Sequence, residues 1–592
     1  MADPTIGDLP GGIAKPPAYE ASQDHRAVGA EPGAGTIAQS PAGRLLAGPP
    51  LQRGVAEPAA GARSRRPRRP GVWAVFWAGI AAIVAGVGLH IQEFMTGHDA
   101  RYQMAGMPMD PHMYLAMALI VAGLGIDVWA LLRASKGGEV RRARTRVSAA
   151  PTRPAIARTR LVTLVVLASA VSIDAMKPFT FSFVLPGAAK EYGLTTPVHV
   201  VPGSWPVSLY PLAGIAGTFL GALIWGKLAD HIGRRHSILL AAILFIATSI
   251  CGAMPSFGWN LVMCLIMGLG AGGLLPCAYA LIVELVPEKS RGTATILVAG
   301  AGTAVGFLLT SICASLIIPK YGWRPMWFVS LPTGLFLIAL NRYLPESPRY
   351  LAARGRHDEA AVVARRYGLS GEPRVAQAAT APAPAAAASV MPTVVALLLC
   401  GLGWGFINFG LITWIPTFLT SAGASAGGVT HTITNASLLA APMSVVTAYA
   451  YRRSSWATVA GCATAVAILL GLLGVDSKLA TDSGHFTIFL FLLFSGLWGL
   501  LGALTPYCAE LFATTRRGTA SGWVSAATKL GGVVALVMAA TSIQPPGMAG
   551  AAVLGACPLL VGALLLLFRP VETSGRPLPD EATFAEAVAH LA

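Results

Sequence analysis

Charge is scarce in this chain. Of 592 residues only 12% are Asp, Glu, Lys or Arg, about half the share of a soluble domain. With 54% hydrophobic residues and a mean hydropathy of +0.62, that scarcity excludes a water-soluble globule for most of the length. Cysteine pairs are also missing. Cys251, Cys264, Cys277, Cys313, Cys400, Cys462, Cys508 and Cys557 lie in or beside apolar runs, and none stands in C-x-x-C spacing. They read as small packing residues. No phosphate-binding loop occurs, so ATP-driven transport has no support, and no soluble domain that would make an enzyme is present. No apolar core precedes the first basic run, so a signal peptide is not expected.

What charge there is gathers in short links. The net charge is +16, but the positives sit beside apolar runs, which is the positive-inside bias of a membrane protein and not a nucleic-acid footprint. A crossing needs about 20 apolar residues, and fourteen candidate stretches qualify. Two come early, at 72–90 and 113–132. Twelve follow, near 161–186, 205–226, 237–255, 259–283, 292–318, 325–344, 391–419, 429–450, 456–474, 486–508, 518–541 and 547–568.

The expected organisation follows. Residues 1–70 form a disordered basic cytoplasmic arm ending in RSRRPRRP, which suits anionic lipid heads or serves as a topology signal alone. Residues 71–132 hold two extra transmembrane helices, and 133–160 a basic cytoplasmic linker. Two six-helix halves span 161–344 and 391–568, joined by a cytoplasmic loop at 345–390 whose first part is charged and helix-forming. A cytoplasmic tail covers 569–592. Both termini are then inside the cell (plasma) membrane.

The halves repeat. ELVPEKSRGTA from Glu284 and ELFATTRRGTA from Glu510 share E-L-x5-R-G-T-A at an offset of 510 − 284 = 226 residues. Repeated halves around a midplane site are an architecture of secondary transporters. The decapeptide GKLADHIGRR, Gly226 to Arg235, separates two apolar runs, and its second copy in YRRSS is degraded. Asp230 near a helix N-terminus favours the dipole, and Arg234 and Arg235 suit the lipid–water boundary. PESPRYL follows the sixth of the twelve later runs.

Here the sequence resembles a known family. GKLADHIGRR is similar to the G-x-L-A-D-x-x-G-R-R signature of the major facilitator superfamily, and PESPRYL to its sugar-porter branch and organic-acid:proton symporter relatives. The resemblance covers about 161–570. It implies a twelve-helix all-α fold and alternating access. It implies that Gly226, Asp230, Gly233, Arg234 and Arg235 serve the inner gate, with Glu346 and Arg349 of PESPRYL. Glu284 with Arg291 and Gly292, and Glu510 with Arg517 and Gly518, would be latches lower in each half. The same residues also fit a topology anchor.

Ionisable residues inside the membrane are expensive and therefore functional candidates. Asp174 and Lys177 stand three apart on one helix face, and Lys529 lies about 16 Å along its helix from Arg517. Aromatic-acid and related organic-anion symporters carry D-G-Y-D where this chain has Asp174-Ala175-Met176-Lys177, and resemble GLITWIPTFL at 410–419. They carry an arginine where Cys264 stands. The expected scheme has Asp174 exchanging a proton and pairing with Lys177 when charged, with Lys177 and Lys529 binding an anion. A permanent Asp174–Lys177 pair is the alternative. The glycine-rich stretch from 401 to 410 bends easily, and Trp404, Asn408 and Trp414 beside it suit a cavity lining. The G-x-x-x-G-P-x-x-G pattern of drug–proton antiporters is absent, which tilts toward uptake.

The loop between the first two helices carries His98, Met104, Met107, Met109 and His112, donors that suit copper, though methionine is also ordinary interfacial filler. The expectation is proton-coupled uptake of a small polar or anionic metabolite without a cofactor. A sugar porter, a copper-handling transporter and a non-transporting sensor on the same fold remain alternatives.

Overall fold

Without water to hold backbone groups, a long apolar run satisfies its N–H and C=O groups by coiling into a helix. The computed structural model bears this out. It describes residues 71–97, 102–136, 152–197, 199–369, 385–421, 423, 425–475, 483–512, 514–541 and 547–574. The expected arm at 1–70, most of the linker and the tail beyond 574 lie outside these.

Thirteen helices among the described residues are long and apolar enough to cross a membrane. In chain order they are α1 Val72–Thr96, α2 Pro111–Ser135, α3 Arg153–Tyr192, α4 Leu209–Ile232, α5 Arg234–Ala253, α6 Phe257–Leu285 and α7 Ser290–Tyr321. After the shorter α8 Ser330–Leu340, α9 Pro348–Ala353 and α10 His357–Arg366 come α11 Met391–Thr420, α12 Gly427–Arg453, α13 Ser455–Val475, α14 Gly484–Leu511, α15 Gly522–Ala540 and α16 Ala549–Phe568.

Several boundaries differ from expectation. α4 runs on to Ile232, so Asp230 stands in its last turn and not near the N-terminus of the next helix. The run at 325–344 is not one long helix but a 3₁₀ turn at Arg324–Met326, then α8, then a 3₁₀ turn at Asn341–Tyr343. Pro325 and Pro332 cannot donate a backbone N–H, so a continuous ladder cannot form through them. At the other end of this half, α3 starts at Arg153, eight residues before the expected span. Its 40 residues reach about 60 Å, well beyond the hydrocarbon core. The overhang is tied down: Arg160 donates to the Tyr367 carbonyl just after α10, and Thr163 Oγ1 meets the Tyr367 hydroxyl at 2.6 Å.

Small residues let the helices approach until backbones touch, as expected where lipid gives no hydrophobic drive to pack. In the first half α4 crosses α6: a Cβ on Gly217 would lie 2.1 Å from the Leu265 carbonyl oxygen. In the second half α11 crosses α15, and a Cβ on Gly405 would lie 1.9 Å from the Thr528 carbonyl oxygen. The early pair α1 and α2 forms its own hairpin and packs on α5. Midway along α11 the regular helix gives way to a wide π turn at Ile407–Leu411 and a 3₁₀ turn at Ile412–Trp414, where the glycine-rich stretch was expected to bend.

Gly405→Ala must therefore push α11 off α15. A loss of about 1–3 kcal/mol is expected, read as a lower melting temperature in detergent. Gly427→Ala, which meets nothing within 4 Å, should leave it unchanged.

Candidate functional site

Between the halves lies a cavity lined by α3, α4, α6 and α7 on one side and α11, α14 and α15 on the other, with an empty volume of about 940 Å³ counting its mouth. Asp174, Lys177, Asn408, Trp404 and Lys529 all line it. Five of the six residues expected to handle substrate or proton thus share one space. Trp414 does not. It is fully buried in the core with no partner for its indole nitrogen, and it is absent from the lining. The wide turn at Ile407–Leu411 inserts an extra residue per turn, which rotates everything after it relative to a regular helix.

The charged groups are arranged differently from the expected ion pair. Asp174 is 5% exposed and its Oδ1 has no hydrogen-bond partner. Lys177 turns away from it: its Nζ donates to Ser330 Oγ of α8 at 2.5 Å and sits 5.0 Å from the centre of the Phe245 ring of α5. Lys529, from the other half, lines the same cavity as Asp174. Lys529 is half-buried on α15. A proline at 178 follows Lys177 inside α3. Asn408 sits within the wide turn, 3% exposed, with its amide oxygen unpartnered, while Trp404 donates its indole N–H to the Leu497 carbonyl at 3.0 Å.

Phe179, Phe181 and Phe409 complete the wall, and edge-to-face contacts fix them: Phe179 on Phe307, Phe181 on Tyr210 and Trp327, Phe409 on Trp404. Sequence reasoning missed these rings and both partners of Lys177, which lie far away in the chain. Cys264, at the position where the related symporters carry arginine, is buried and not part of the lining.

The gating candidates gather at the basic ends of the helices. Gly233 takes φ = 94°, and a Cβ there would lie 2.3 Å from Glu346 Oε2. This allows Glu346 to cap α5: its Oε1 accepts the backbone N–H groups of Arg234 at 2.8 Å, Arg235 at 3.3 Å and Ser347 at 3.1 Å. Arg234 reaches Asp230 at 3.0 Å and Glu284 at 3.8 Å. Arg235 Nε donates to the Asn341 carbonyl at 3.2 Å. Arg349 is exposed. Gly226 is in α4. Arg517 and Gly518 are in the helix Thr514–Ala540, but their side-chain positions lie outside the described residues.

Glu284 has Arg234 within 4 Å, a partner the expected latch with Arg291 did not include. The expected Glu510–Arg517 latch lies outside the described residues. A Cβ on Gly292 would lie 2.8 Å from Glu510 Oε1 and 3.0 Å from the Tyr451 ring, so the start of α7 is pressed against the second half here. Glu510 Oε2 accepts from Tyr451 at 2.7 Å and Thr573 at 2.9 Å.

A second carboxylate clasp escaped the sequence reading. Glu572 Oε1 accepts the Ser455, Thr573 and Ser574 backbone N–H groups at 2.8, 3.1 and 2.9 Å, capping α13 as Glu346 caps α5. The offset is 572 − 346 = 226 residues, the same as between the two E-L-x5-R-G-T-A copies. The signal was present as PES against VETS, too short to stand out. Burial pushes the Glu572 carboxyl up, but the Ser454 and Ser455 hydroxyls and the backbone donors outweigh it, and the group ends below the ordinary range.

The methionine and histidine loop shows no shared focus. Met104 is buried, Met109 half-buried, Met107 exposed, and exposed His112 faces Asp110 at 3.3 Å. His98 lies outside the described residues. No cluster of three or more His, Cys, Asp or Glu suited to a metal occurs among the described residues.

Comparison with known proteins agrees with this architecture. The sequence profile of the Major Facilitator Superfamily matches residues 165–504. The niacin transporter NiaP of Acinetobacter baylyi is 27% identical over 424 residues, covering 68% of this chain and 92% of that protein. The putative metabolite transport protein YdjK of Escherichia coli is 28% identical over 396 residues, 63% of this chain and 85% of that protein. Among solved structures, the proton:xylose symporter XylE with bound 6-bromo-6-deoxy-D-glucose superposes with a TM-score of 0.57 at 17% identity, covering 73% of this chain and 99% of that one. That likeness concerns the fold. The chain belongs to the Major Facilitator Superfamily: it is a multi-pass membrane transporter whose two six-helix halves enclose a charged cavity, with an additional helix pair before them.

Proposed function

We propose that this transporter takes up a small organic acid, of the aromatic carboxylate class, together with a proton. The observation that carries the reading is the cavity itself: a carboxyl from one half and an ammonium from the other, with no hydrogen bond satisfying Asp174 Oδ1, inside aromatic walls. An aromatic carboxylate fits both features. Its ring packs against Phe181 and Phe409, and its charge takes the place of Asp174 opposite Lys529. A relative named for niacin, itself an aromatic acid, points the same way.

The coupling follows from electrostatics. Asp174 and the substrate carboxylate both compete for Lys529. Two anions beside one lysine repel in a space with little water, so protonation of Asp174 favours the loaded state. Lys177, anchored by Ser330, keeps a second positive charge at the cavity wall. The two halves then alternate around the occupied site, with the basic helix ends on the cytoplasmic side. The clasps at Glu346 and Glu572, and the contact of Gly292 with Glu510, keep the inner end of each half in register as it moves.

The test uses full-length protein in proteoliposomes with a proton gradient and labelled nicotinate, benzoate and xylose. Gradient-driven uptake of the carboxylates, and not of xylose, is expected. Asp174→Asn should abolish gradient-driven uptake and retain counterflow exchange. Persistent gradient-driven uptake in that variant sinks the coupling role. Lys529→Ala should raise the apparent KM for the acid by about 10- to 100-fold, and Lys529→Arg should restore most of it. An unchanged KM in the alanine variant removes Lys529 from the binding site.

A further inference from the structure

The α1–α2 hairpin stands outside the twelve-helix fold, and the family match begins only at residue 165. Its placement is specific. The third helix of each half can be compared directly: 89% of the apolar stretch of α5 is buried, against 44% of its repeat counterpart α13. Both helices of the hairpin pack on α5.

The hairpin is fastened at both ends of α5. At one end the backbone N–H groups of Met104 and Ala105 donate to Glu191 Oε1 at 2.8 and 3.1 Å, and Gly106 donates to the Pro255 carbonyl at 3.0 Å. The same Glu191 pairs with buried Arg324 at 2.6 Å. At the basic end, Trp73 in the first turn of α1 stacks on His236, with ring centres 6.3 Å apart and planes 23° from parallel. His236 Nδ1 lies 3.0 Å from the Ile232 carbonyl oxygen and 3.5 Å from Glu346 Oε2. The carbonyl accepts, so Nδ1 carries the hydrogen, with Glu346 Oε2 at ion-pair distance beside it. This matters because Glu346 Oε2 has no hydrogen bond of its own. Its Oε1 caps α5, and its second oxygen is steered by His236 alone among the described groups within ion-pair distance.

We propose that Trp73 is a positioning residue for the gate: by fixing the His236 ring, the hairpin holds Glu346 in the geometry that caps α5, and so restrains opening at the basic end. This rests on the reading of the Glu346 clasp as part of the gate. Trp77, one turn on and 55% exposed, makes its ring contact with Phe76 and provides the control.

The experiment measures amide hydrogen exchange in the full-length protein in nanodiscs, beside inter-half distances from spin labels at Val362→Cys and Arg452→Cys in a Cys557→Ser background. Trp73→Ala should speed exchange of the Arg234, Arg235 and Ser347 amides about tenfold, with Trp73→Phe within about twofold of the parent and Trp77→Ala unchanged. The distance distribution of Trp73→Ala should shift toward longer values. Unchanged exchange at those three amides overturns the proposal. So does equal acceleration at Met104 and Ala105 in both Trp73 variants, since that reports undocking of the hairpin. Glu346→Gln separates the two readings. If it leaves the distances unchanged, the gate reading fails. If it shifts them and Trp73→Ala does not, only the role of the hairpin fails.

Discussion

A carboxyl and two ammonium groups held between apolar bundles are the constraint on which the rest of this molecule depends. Each costs several kcal/mol to bring out of water unless another charge or dipole compensates. The structure divides the compensation unevenly. Lys177 is satisfied within its own half by Ser330 and the face of Phe245. Asp174 is not: Oδ1 has no hydrogen bond, and Lys529 of the other half lines the same cavity. A charge compensated in part from the other half is sensitive to how the halves sit. On the proposed mechanism that is the property a coupling residue needs.

Much of the fold was legible because lipid imposes one simple rule, about 20 apolar residues per crossing, and the chain obeys it almost everywhere. The exception at 325–344 is instructive. Its hydropathy reads as a span, but Pro325 and Pro332 interrupt the hydrogen-bond ladder, and hydropathy does not register a missing N–H. The site was legible in its residues and not in its pairings. Asp174, Lys177 and Lys529 announce themselves as charges within apolar runs. That Lys177 turns to Ser330, 153 residues on, is a matter of how α3 meets α8, which no local pattern encodes. Trp414 illustrates a different failure. It lies in the 3₁₀ turn that follows the wide turn, where the regular helical period no longer fixes the face a residue presents.

The clasps show the same division between pattern and partner. Spacing identified Glu284, Arg291, Glu510 and Arg517 as related, and symmetry suggested that each half latches to itself. The structure ties Glu284 to Arg234 in its own half but brings Glu510 to the start of α7 in the other. Among the described residues the two copies thus keep different partners, although they share one sequence offset.

That asymmetry extends to the lipid boundary. In a symmetric pair of bundles the third helix of each half meets acyl chains on one side. Here α13 does and α5 largely does not, because α1 and α2 cover it from Trp73 at one end to the Met104–Gly106 loop at the other. Lipid yields sideways to a moving helix, whereas a protein surface fastened by directional bonds moves only as a body with it. On the proposed mechanism the first half, hairpin included, would move as the larger body, and motion of the second half relative to it would carry Lys529 toward or away from Asp174.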